Sequence, residues 1–80
     1  MTPNEAIEEI LKDLSISFGD RLASQIVMSA RSSVPAPPAD FGRRQYAEVV
    51  RTVCGDARVV GMLGELTVKE RQSLWEKLVS

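Results

Sequence analysis

The chain holds no histidine, one cysteine and four aromatic residues among its 80: Phe18, Phe41, Tyr46 and Trp75. Without imidazole there is no general base of the commonest kind, no Ser-His or Cys-His nucleophile and no histidine metal ligand. The lone Cys54 closes no internal disulfide and makes no zinc site, which fits a reducing compartment. It falls in the last turn of a helix, where the macrodipole disfavours the thiolate, and reads as a structural core residue. A phosphate-cradling loop is missing too: Gly61-Met62-Leu63-Gly64 lacks both the preceding strand and the following Lys-Ser/Thr. The paired carboxylates Glu5/Glu9 and Glu9/Asp13 lie on an exposed helix face, with nothing to shift their pKa. These absences argue against a self-sufficient enzyme. The expectation is no catalytic residue, no cofactor, no metal and no small-molecule substrate.

Long apolar runs and a dominant charge are also lacking. The longest strictly apolar stretch is Ile26-Val27-Met28, against the roughly 20 residues of a membrane span. The opening MTPNEAIEEI is acidic, which speaks against a signal or transit peptide, and a cytoplasmic location is expected. Ten Lys plus Arg balance 11 Asp plus Glu, whereas nucleic-acid-binding domains are usually basic overall.

What is present is helical patterning. An apolar share of 44% in a chain of this length fits one folded domain spanning 1–80. Thr2-Pro3-Asn4-Glu5 is a capping box with proline at the first helical position, and Ile7, Ile10, Leu11 and Leu14 continue it as one stripe. The first helix is predicted over 3–14. Ser17 is the expected N-cap of a second, over 18–31, carrying Leu22, Ala23, Ile26, Val27 and Ala30, with Met28 off that arc. Three prolines at 35, 37 and 38 then make 33–39 a stiff connector. Its PxxP spacing lacks the flanking basic residue of an SH3 ligand.

Asp40 is the expected cap of a third helix over 41–54, with Tyr46, Val49, Val50 and Val53 inward and Gly55 as a left-handed terminus. The valines favour strands by propensity, yet the cap and the helical spacing outweigh that. Asp56 caps a short fourth helix over 57–63, closed by Gly64. Thr67-Val68-Lys69-Glu70 reads as a second capping box, opening a fifth helix over 68–79 with Leu74, Trp75 and Leu78 inward. Phe18-Gly19 and Phe41-Gly42 open similar segments, hinting at two helices entered alike with a backbone passing close to each glycine. The fold class is all-α, a small bundle of about five helices.

Function has to be sought on the surface. Residues 17–58 carry six bases, all arginine, against four acids, while residues 1–16 carry four acids and one base. Arginine suits bidentate contact with carboxylate or phosphate. Arg44 and Arg51 share the outer face of the third helix, with Glu48 between them where it can pair with both. Arg71 falls amid the apolar arc of the fifth helix. There it either lays its stem over Trp75 with the guanidinium in water or pairs with an acid such as Asp13 or Asp56. The expected function is a non-catalytic protein–protein interaction module or small accessory subunit, self-associating or bound to another protein. Arg43, Arg44, Arg51, Arg58, Met28, Arg71 and Trp75 are the candidate contact residues. The alternative is a small nucleic-acid-binding regulator using the arginine face of the third helix.

Overall fold

The structure, a computed structural model, describes residues 1–79, and for Pro38 the backbone alone. It is all-α: α1 Pro3–Phe18, α2 Asp20–Ser32, α3 Arg43–Cys54, α4 Ala57–Leu63 and α5 Glu65–Lys77, with a 3-10 turn at Pro38–Asp40. The opening box forms as its residues dictate. Thr2 N–H donates to Glu5 Oε1 at 3.0 Å, and Glu5 N–H donates to Thr2 Oγ1 at 3.2 Å. Asp56 caps α4 by accepting from Arg58 N–H at 2.8 Å.

Three helix starts differ from the sequence expectation, each placed directly after a glycine, and several helix ends shift with them. Ser17 does not start α2, because α1 runs on to Phe18 and Ser15 Oγ bonds back to Leu11 O at 2.7 Å. The break falls at Gly19, whose φ of +80° and ψ of 161° lie where only glycine is at ease. Thr67 likewise caps nothing. Gly64, at φ +83° and ψ 155°, ends α4 and starts α5 three residues earlier. Asp40 belongs to the 3-10 turn, and α3 starts after Gly42, whose N–H donates to Gln45 Oε1 at 3.1 Å. Gly55 is not left-handed, since its φ is −91°. The resemblance between Phe18-Gly19 and Phe41-Gly42 does not extend to conformation: Gly42 is extended at φ −102°, and no neighbouring backbone crowds either glycine. The two alike joints are Gly19 and Gly64.

The core gathers on α3. Tyr46, Val49, Val50 and Val53 are almost wholly buried, closed in by α2 on one side and α5 on the other. Ala6, Ile10 and Leu14 of α1 meet Ala23, Ile26, Val27 and Ala30 of α2, while Val59 and Val68 extend the core through α4 and α5. Among the described residues no charged or polar side chain is fully buried, and no buried side-chain N or O lacks a hydrogen bond. The connector joins the core instead of spanning free space. Val34 and Phe41 are buried at its two ends. Arg31 donates to Val34 O at 3.1 Å and to Ala36 O at 2.8 Å while lying 4.0 Å from the Phe41 ring centre. The radius of gyration, 11.5 Å, matches the roughly 12 Å of a close-packed chain this long. No described helix is long and apolar enough to cross a membrane.

One consequence of this packing positions the site. Helix α1 rests mainly on α2, and α5 rests on α3 and α4, so the facing flanks of α1 and α5 are left apart.

Candidate functional site: a groove between the first and last helices

Three side chains bridge the gap between α1 and α5. Arg71 Nη1 donates to both carboxylate oxygens of Asp13, at 3.0 and 2.9 Å, and Trp75 Nε1–H donates to Asp13 Oδ2 at 3.0 Å. Of the two readings of Arg71, the ion pair with Asp13 is the one present. The Trp75 carbonyl in turn accepts from Tyr46 Oη–H at 2.6 Å, which ties the bridge to α3. The pair is part-exposed, but three hydrogen bonds converge on the one Asp13 carboxylate. The exposed Lys12–Glu9 pair at 3.5 Å is worth well under about 1 kcal/mol. Arg71 is therefore fixed in place, whereas Lys12 is at liberty to exchange partners.

Above this bridge lies an open groove of about 350 Å³, walled by Ile16, Leu74, Trp75 and Leu78 and edged by Glu9, Lys12 and Asp13. Ile16 is 85% exposed and Leu74 is 55% exposed. Leu74 thus departs from its expected core place, because α5 turns Val68 and Trp75 inward and presents Leu74 to the groove. Ile16 escaped the sequence reading because α1 was expected to end at residue 14. Carried on to Gly19, the same helical period sets Ile16 opposite Ile10 and Leu14 on the polar face, which is the signal that finds it.

The seven candidate contact residues do not form one surface. Trp75 is only 3% exposed and serves the core, and Arg71 is committed to Asp13. Arg43 Nε donates to Val79 O at 2.9 Å, satisfying a carbonyl just beyond α5. Arg58 is clamped on Asp56 by bonds of 3.0 and 2.8 Å, which raises its own pKa and holds the Asp56 carboxyl below the usual carboxylate range. Arg44 and Arg51 are exposed, and among the described residues neither pairs with Glu48 or any other acid. Met28 is 64% exposed on α2, on a different helix from any of the candidate arginines.

Cys54 is buried, and burial, with the Glu76 carboxylate adding to it, pushes its thiol up to about 11. Burial likewise pushes the Tyr46 hydroxyl up to about 12, with Glu76 and Cys54 contributing. Neither is a poised nucleophile at neutral pH. Among the described residues no group of three His, Cys, Asp or Glu stands where it could hold a metal. What the fold and groove define is a small all-α bundle with a largely apolar cleft edged by Glu9, Lys12 and Asp13. No protein-family model, curated protein or solved structure matches the chain.

Proposed function

We propose that the protein is a non-catalytic interaction module, a small accessory subunit that acts by contact and accepts an apolar protein surface in the α1/α5 groove. The observation that carries this reading is the pairing of Ile16 and Leu74, both exposed in one groove whose edge residue Asp13 is hydrogen-bonded to Arg71 and Trp75. Ile16 and Leu74 leave most of their apolar surface uncovered within the chain. Burial against a partner would recover about 25 cal/mol for each Å² covered. A two-turn groove between helices suits a helical ridge laid along it. Arginine-mediated contact, the emphasis of the sequence reading, keeps only Arg44 and Arg51, because Arg43, Arg58 and Arg71 are engaged within the fold. That leaves little support for nucleic-acid binding, which usually draws on more phosphate contacts than two.

The test uses the dye anilinonaphthalene sulfonate as an apolar probe and Trp75, the single tryptophan, as the reporter. Dilute folded protein should bind the dye with energy transfer from Trp75, and Leu74→Lys should abolish the signal while leaving the thermal midpoint unchanged. Dye binding that is absent, or indifferent to Leu74→Lys, would remove the groove as the functional surface.

A further inference from the structure

We infer that the occupant of the groove is the same groove on a second copy of this chain, related by a two-fold axis; this rests on the reading of the groove as a contact surface. A two-fold contact requires one patch to carry both the projection and the recess that receives it. Here both are present side by side. Ile16, the most exposed large apolar side chain of the chain, forms one wall of the recess that Leu74, Trp75 and Leu78 complete. Turned about an axis through the groove, Ile16 of each copy enters the recess of the other, and the two Leu74 side chains are covered at once.

Charge points the same way. A patch that meets itself must not carry a net charge, since like charges would then face each other across the axis. Two acids and one base edge this groove, and each acid is paired: Glu9 with Lys12, and Asp13 with Arg71, which does not itself line the groove. Asp13 and Arg71 are held by their own geometry. Lys12 and Glu9 are bound only by a marginal contact between well-exposed side chains, so each can turn to its opposite number in the other copy at little cost. A partner selected by charge would call for an edge of one sign, which this groove lacks.

Size sets the strength. A standard interface covers about 800 Å² on each side, about a sixth of the 5049 Å² that this chain exposes. Two grooves with two projecting residues each fall at the small end, so the dimer is reversible, forming at micromolar or higher concentration.

The experiment is sedimentation equilibrium over a wide concentration range. The wild type should move from one chain's mass to two, and Ile16→Glu should raise the dissociation constant about tenfold or more. At a dilution where both are monomeric they should share the same circular dichroism melt, because Ile16 is 85% exposed in the single chain. Charge reversal supplies the sharper readout. Glu9→Lys and Lys12→Glu should each weaken the dimer, and Glu9→Lys/Lys12→Glu together should restore it. A heterologous partner of one charge sign would respond oppositely to the two single reversals. A wild type that keeps one chain's mass at millimolar concentration overturns the two-fold pairing, as does a dimer untouched by Ile16→Glu. The dye experiment stands apart from both, so a strict monomer that still binds the dye through Leu74 would cost only the identity of the partner.

Discussion

Asp13 accepts three hydrogen bonds with one carboxylate, and through them a single side chain of α1 fixes two of α5. Tyr46 Oη extends the chain to α3 through the Trp75 carbonyl. The same hydroxyl and its core neighbour Cys54 give the fold a characteristic response to base. Both hold their protons more tightly in the folded chain than in the unfolded one, where Cys54 ionises near 9 and Tyr46 near 10. Stability is therefore fully present below about pH 9 and falls as pH rises through about 11 for Cys54 and about 12 for Tyr46. The thermal midpoint should drop steadily above about pH 9, and Cys54→Ala should flatten the early part of that decline. A midpoint that stays level to about pH 11 would contradict the burial of both groups.

At the scale of elements, the joints matter more than the caps. Gly19 and Gly64 share one left-handed geometry, and each is the single residue between two helices. Gly61 differs, lying inside α4 with open space where a Cβ would go. Gly19→Ala and Gly64→Ala should each destabilise by about 1–3 kcal/mol. Gly61→Ala should stabilise by up to about 1 kcal/mol, as read by urea unfolding. Equal effects at all three positions would refute the assignment.

These joints also explain what was legible in the sequence. The ends of α4, the start of α1 and the inward valines of α3 follow from caps and period alone. Ser17, Asp40 and Thr67 are good caps in isolation, but a helix can run past a serine or threonine. At Gly19 and Gly64 the break falls where φ turns positive, and sequence offers several glycines without saying which ones turn. The Arg71–Asp13 pair was legible as one of two options, because an arginine in an apolar arc needs an acid or water. Leu74 was not, since its exposure depends on α5 starting at Glu65 and rotating Trp75 inward.

For the molecule as a whole, the arrangement of charge decides more than its amount. Four of the six arginines at residues 17–58 were candidate contacts, and two of those four, Arg43 and Arg58, are spent inside the fold. Arg31, outside that set, pins the connector. Besides the exposed Arg44 and Arg51, what remains for a partner includes the apolar groove between α1 and α5. The most direct measurement is a map of backbone amide and Trp75 indole shifts in an isotope-labelled sample taken from micromolar to millimolar concentration. The account expects the concentration-dependent shifts to gather at Glu9, Lys12, Ile16, Leu74, Trp75 and Leu78, with Arg44 and Arg51 unmoved. Shifts centred on Arg44 and Arg51, or none anywhere, would contradict it.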